Sequence, residues 1–205
     1  MRKKGVILVV SGPAGSGKGT VCNILRESGE FALSVSRTTR KPRPGEVNGK
    51  DYWFVSREEF QKYLDEDDFL EYNQYCGEFY GTPREFAEQT IAKGYNMILE
   101  IDVNGAAQVK EKCDDAVLVM LVPPNYAEQE RRLRHRGTET EDKILSRLER
   151  AREEFKQLDK YDYIVYNYTG ETQRTANQLR AIAEAERCSV KRNADASEKY
   201  FGKEK

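Results

Sequence analysis

The apolar and polar positions of this chain fall into two alternating rhythms. Residues 6–10 form an unbroken apolar run, and residues 21–26 then carry helical spacing. After Gly29, residues 31–36 alternate like a short strand, and residues 51–55 read as another. Ser56, with Glu59 three positions on, marks the start of a helix running to about residue 67. Residues 69–72 and 78–82 read as two short strands joined near Cys76-Gly77, and Pro83 opens a helix that Gly94 ends. A buried-type strand at 96–102 is followed by a helix through residues 106–109, then by a strand at 116–122 closed by Pro123-Pro124. Helices at 126–136 and from about 140, a strand at 161–167 and a helix at 172–187 complete the pattern, ahead of a polar tail from residue 189. Strands alternating with helices predict a parallel α/β sheet with right-handed crossovers.

Between the first strand and the first helix lies Gly12-Pro13-Ala14-Gly15-Ser16-Gly17-Lys18-Gly19-Thr20. Strand, glycine-rich loop and helix form the context in which backbone N–H groups converge on a phosphate and a lysine adds mobile positive charge. The general pattern asks for Ser or Thr directly after the lysine; here Gly19 intervenes, and Thr20 is the nearest hydroxyl for a magnesium contact. The competing reading is a tight turn using glycine only for geometry. Three glycines, a lysine and the correct flanks favour a nucleoside triphosphate.

A second polar stretch, residues 37–50, holds Arg37, Arg40, Lys41, Arg43 and Lys50 with two prolines that exclude a regular helix. Such a loop is often merely solvated, but its position soon after a phosphate loop predicts a second phosphate site. Asn48-Gly49 signals a turn ahead of the strand at 51–55.

Composition narrows the field. The 205 residues suffice for one sizeable core with small insertions. A net charge of -1, from 34 basic and 35 acidic residues, gives no global reason to bind nucleic acid or an anionic membrane. Cys22, Cys76, Cys113 and Cys188 are widely spaced, which suits neither a zinc site nor a disulfide framework and predicts a reducing, cytoplasmic setting. The N-terminal apolar run is too short for a signal peptide or a membrane span.

Taken together, the phosphate loop, Ser34-Val35-Ser36-Arg37-Thr38-Thr39-Arg40, Gly45-Glu46-Val47-Asn48-Gly49-Lys50-Asp51-Tyr52, Tyr80-Gly81-Thr82, Leu99-Glu100-Ile101-Asp102 and Arg136-Gly137-Thr138-Glu139 resemble guanylate kinases, in order, from about residue 5 to about 185. The resemblance implies transfer of the ATP γ-phosphate to GMP with magnesium. It implies a P-loop three-layer α/β fold with a central parallel sheet, a small mixed α/β GMP-binding insertion and a helical lid. The expected parts are a core of 1–35, 94–125 and 149–188, an insertion of 36–93, a lid of 126–148 and a tail of 189–205.

By position, the resemblance makes Gly12, Pro13, Ala14, Gly15, Ser16, Gly17, Lys18, Gly19, Thr20 and Asn167 the ATP-binding set. Arg40, Arg43, Tyr52 and Tyr80 become GMP phosphate ligands, and Ser36, Glu71 and Thr82 guanine readers. Lys18, Arg132, Arg136 and Arg147 become the catalytic cations. Glu100 and Asp102 are assigned to GMP and to magnesium-bound water, and the lone His135 is a bystander. Guanine presents N1–H and its 2-amino group side by side, so one carboxylate can accept both, whereas adenine would leave that carboxylate unpaired. Two departures stand out: Val103-Asn104 replace the Trp-Gln common in the family, and Tyr168-Thr169 follow Asn167 where acidic residues are common. A guanylate-kinase-like interaction module is the alternative from another class. The intact Lys18, glycines and lid arginines, and the lack of SH3-like or PDZ-like sequence, argue for a working enzyme. Nucleic-acid binding is weaker, because the basic residues sit in two separate loops. Assembly into a homo-oligomer stays open.

Overall fold

The computed structural model describes residues 4–135, 137 and 140–202. In chain order the strands are β1 (Ile7–Ser11), β2 (Phe31–Leu33), β3 (Arg37–Thr38), β4 (Trp53–Phe54), β5 (Phe69–Tyr75), β6 (Glu78–Pro83), β7 (Asn96–Glu100), β8 (Val117–Val122) and β9 (Tyr163–Tyr166). The helices are α1 (Lys18–Glu27), α2 (Arg57–Asp65), α3 (Arg84–Ala92), α4 (Val103–Lys112), α5 (Tyr126–His135), α6 (Glu141–Phe155), α7 (Thr172–Cys188) and α8 (Ala196–Phe201).

The five-stranded sheet runs β2-β7-β1-β8-β9, every pairing parallel. Its middle strand, β1, is buried at all five positions, which is why its sequence is continuously apolar rather than alternating. The two faces still separate by parity. Val6, Leu8 and Val10 pack with Val21, Cys22 and Leu25 of α1 and Ala176, Leu179 and Ala183 of α7. Ile7 and Val9 pack with Ala87 and Ile91 of α3 and Ala106 and Val109 of α4. Helices therefore cover both faces, giving three layers.

The second sheet, ordered β4-β3-β6-β5, is mixed: β3 pairs parallel with β4 and antiparallel with β6, and β5 pairs antiparallel with β6. Its core is small. Phe60 of α2 stacks on Phe69 and Phe79, with ring centroids 4.6 and 5.4 Å apart. The expected capping box is present: Glu59 N–H donates to Ser56 Oγ at 3.1 Å, and Ser56 N–H to Glu59 Oε2 at 2.7 Å.

Three expectations need correction. The strand expected at 31–36 stops at Leu33, where pairing with Ile98 of β7 ends and the chain leaves for the second sheet. Within the stretch read as loop, Arg37 and Thr38 form β3, because Gly81 and Tyr80 of β6 supply ladder partners. The strand expected to reach Asp102 ends at Glu100, and Asp102 instead caps α4 by accepting the Gly105 N–H at 2.9 Å.

Candidate active site

The loop after β1 owes its shape to backbone that tolerates no side chain. Gly12 lies at φ 139°, and a Cβ there would come within 2.1 Å of the Leu121 carbonyl oxygen of β8. Gly17 lies at φ 87°, and its Cβ would meet Asn167 Nδ2 at 2.5 Å. Gly17 also takes the N-cap position of α1 with no side-chain cap, and no acidic residue occupies the first turn. The first N–H groups of the helix are thus left for an anion. Ser16 Oγ is buried and has no hydrogen-bond partner in the structure. Gly19 has no positive φ; its Cβ would make ordinary contact with Glu100 Oε1 at 3.4 Å. Thr20 is exposed in the first turn.

Lys18 Nζ donates to the carbonyl oxygens of Gly12 and, at 3.3 Å, of Pro13. Burial pushes its pKa below the ordinary 10.5, while Glu154, Glu100, Cys22 and Asp102 pull the other way. Beneath it, burial pushes the Cys22 thiol up to about 12, so this cysteine is a packing residue.

Side chains from α5 and the end of β9 fix the far wall. Gln129 Nε2 donates to Ala14 O at 3.0 Å, and Asn167 Nδ2 to Ser16 O at 2.8 Å. Asn167 Oδ1 in turn accepts from Thr175 Oγ1 at 3.1 Å, so its amide braces the loop. Arg132 reaches Glu128 Oε1 and the Asn167 carbonyl, each at 2.8 Å, and Thr169 Oγ1 at 3.1 Å. Arg131 donates to both Glu128 oxygens, at 2.7 and 2.8 Å, and with the Thr169 hydroxyl and Arg132 holds the Glu128 carboxyl well below the usual range. Arg147 is exposed on α6, and Arg136 lies outside the described residues.

On the opposite side, Ser36, Tyr52, Thr82 and Glu100 line one cavity of about 380 Å³, together with Arg26, Ser34 and Asp51. Arg40 is fixed by Glu46, whose Oε1 and Oε2 accept from Nη2 at 2.8 and 3.0 Å. Glu46 Oε2 also accepts the Arg43 N–H at 2.7 Å. The Arg40 guanidinium lies 5.4 Å from the Tyr52 ring centroid, and Tyr52 meets Tyr80 edge-on at 5.9 Å. The β5–β6 register sets Glu71 opposite Thr82, and Thr82 Oγ1 donates to Glu71 Oε1 at 2.6 Å. Glu71 is 7% exposed, and burial raises its pKa above the ordinary 4.5.

Asp102, besides capping α4, accepts from Asn73 Nδ2 at 3.3 Å and Arg150 Nη2 at 3.2 Å. Glu100 pairs with Arg26 at 3.4 Å. Sequence reasoning missed Glu128, Thr169, Arg150 and Glu154. Glu128 left a signal in its spacing of three and four from Arg131 and Arg132 on one helix, and Glu154 in its spacing of four from Arg150 on another.

A glycine loop of this geometry on a parallel α/β sheet, facing an arginine- and tyrosine-lined cavity, defines a P-loop nucleotide-binding protein. The family model for guanylate kinase matches residues 4–186. A guanylate kinase of Lactobacillus acidophilus is 48% identical over 197 residues, 95% of this chain and 96% of the relative. One from Caldanaerobacter subterraneus subsp. tengcongensis is 44% identical over 196 residues, 95% and 94% of the two chains. The crystal structure of guanylate kinase from Anaplasma phagocytophilum superposes with a TM-score of 0.72 at 34% identity, covering 100% of this chain and 99% of that one. The chain belongs to the guanylate kinase family.

Proposed function

We propose that this chain transfers the γ-phosphate of ATP to GMP, giving ADP and GDP, with the following division of labour. The donor phosphates lie on the N–H groups of residues 12–20, with Lys18 turning from the Gly12 and Pro13 carbonyls to the transferring phosphate. Arg132, Arg136 and Arg147 neutralise charge on the moving phosphoryl group, and Asn167 braces the wall on the adenine side. The GMP phosphate is clasped by Arg40, Arg43, Tyr52 and Tyr80. Ser36 and Thr82 address guanine O6, Thr82 turning its one hydroxyl proton from Glu71 to the base, and Glu71 accepts N1–H and the 2-amino group.

The observation that carries this reading is Glu71: a carboxylate buried across the sheet from Thr82 that guanine, and not adenine, would fully pair. Among the described residues no group of three or more His, Cys, Asp or Glu side chains could hold a metal by itself. Magnesium brought in with the nucleotide would be held on the protein side by the Thr20 hydroxyl, with Glu100 or Asp102 reaching its waters. Magnesium there supplies charge neutralisation across the phosphates. No described helix is long and apolar enough to cross a membrane, and we place the activity in the cytoplasm.

The test is ADP release from ATP with a panel of nucleoside monophosphates. GMP should be turned over at least about a hundredfold more efficiently than AMP. Absence of GMP-dependent turnover by folded protein refutes the proposal, and a preference for AMP, UMP or dTMP moves the chain to a sibling kinase.

A further inference from the structure

Gly105 is a glycine without a backbone reason. It lies in the first turn of α4, has no positive φ, and donates an ordinary capping hydrogen bond to Asp102. Alanine is the better helix former at such a position. The reason lies in what a side chain there would touch. A Cβ on Gly105 would stand 3.1 Å from Glu71 Oε2, and 3.3 and 3.4 Å from Ile101 Cδ1 and Cβ.

The methyl would be pinched, and the surroundings decide which neighbour gives way. Helix α4 cannot back off freely, because one turn later Gln108 grips the neighbouring residue of β5. Its Nε2 donates to Tyr72 O at 3.0 Å, and its Oε1 accepts the Tyr72 N–H at 3.1 Å. Ile101 Cβ is fixed to its own backbone. The movable ends are Ile101 Cδ1 and the Glu71 carboxylate, and the nearer is the carboxylate, held by Thr82 at Oε1 and lying against Gly105 at Oε2.

We infer that Gly105 is a specificity-determining position for the acceptor base, its missing side chain leaving the space in which Glu71 meets the guanine edge. The inference rests on the proposed GMP reaction and deepens it. Gly105 does not touch the reacting atoms; it acts through Glu71 and is a positioning residue.

The test is Gly105→Ala in the full chain, with melting temperature, kcat and both KM values measured. The melting temperature should hold or rise, the KM for GMP should rise about tenfold, and kcat and the KM for ATP should stay within about twofold. The advantage of GMP over IMP, which lacks the 2-amino group, should shrink. Combined with Glu71→Gln, Gly105→Ala should add less than about twofold, because the partner through which it acts is already altered. A folded Gly105→Ala protein with unchanged KM for GMP overturns the inference, as does an equal further loss in the Glu71→Gln background. A variant that melts earlier or does not fold overturns it too, since the pressure then falls on the fold rather than on Glu71. Wild type without GMP turnover would instead bring down the underlying reaction.

Discussion

The two halves of the candidate site are built by different means. The donor half is nine consecutive residues whose shape comes from backbone: glycines at φ 139° and 87° pressed against the Leu121 carbonyl and the Asn167 amide, on a strand buried along its whole length. The acceptor half gathers side chains from Ser36 to Thr82 on and around a mixed sheet whose core centres on three phenylalanines, joined by Glu100 and Asp102 from the end of β7 and the cap of α4. Its charged groups are aligned by neighbouring side chains, Arg40 by Glu46 and Glu71 by the Thr82 hydroxyl. A backbone cradle binds any suitable phosphate, whereas a register of side chains can read a base. Catalytic power should therefore fail most sharply at the first half and selectivity at the second. Lys18→Met is the most severe way to sharpen that division. It should lower kcat by about 10³ or more while circular dichroism and the KM for GMP change little. A kcat within about tenfold of wild type breaks it.

Glu71→Gln should act the other way round. It exchanges an acceptor for an amide with donors of its own, and kcat/KM for GMP should fall by about 10² to 10⁴. The discrimination against AMP should collapse with it, while ATP binding stays intact. Proton linkage adds an independent check. Burial raises the folded pKa of Glu71 above the ordinary 4.5, so its stabilising contribution is fully present below the unfolded value and is lost as pH rises through the folded one. Relative to the Gln variant, wild type should therefore lose stability with rising pH. GMP recognition needs the carboxylate, so over the same window the KM ratio of Gln variant to wild type should grow. Stability and affinity moving together would show that the carboxylate is not the reader.

The same contrast governs what the sequence disclosed. The phosphate loop was legible because its function sits in contiguous residues with a local cause, as were the Ser56–Glu59 capping box and the helix opened by Pro83. The strand β3 was not, because Arg37 and Thr38 are extended only by virtue of Gly81 and Tyr80, some forty positions away. Asp102 continues the apolar run of β7 in the sequence, and only its Asp side chain, a favoured helix cap, hints that it opens α4 instead. Arg150 of α6 reaches Asp102 at the cap of α4, a juxtaposition only packing creates. Gly105 carries no local signal either, because its reason is Glu71 on a different element.

The smallest expected effect lies where the two modes meet. Thr169 belongs to the donor half but works through its side chain, donating to Glu128 Oε1 and accepting from Arg132 at 3.1 Å and Arg131 at 3.4 Å. Thr169→Val keeps the shape and removes the hydroxyl. Arg132 retains Glu128 Oε1 and the Asn167 carbonyl, each at 2.8 Å, so it should stay against the loop wall. The KM for ATP should rise about threefold, with kcat and the KM for GMP within about twofold, as expected for one exposed hydrogen bond in a network that survives without it. The carboxyl of Glu128 should titrate at higher pH once that donor is gone, measurable by NMR against wild type. A loss of kcat beyond about tenfold would mean that the donor half, too, depends on side chains aligning one another. The boundary between the two halves would then fall at Gly17, where the loop meets Asn167, rather than between donor and acceptor.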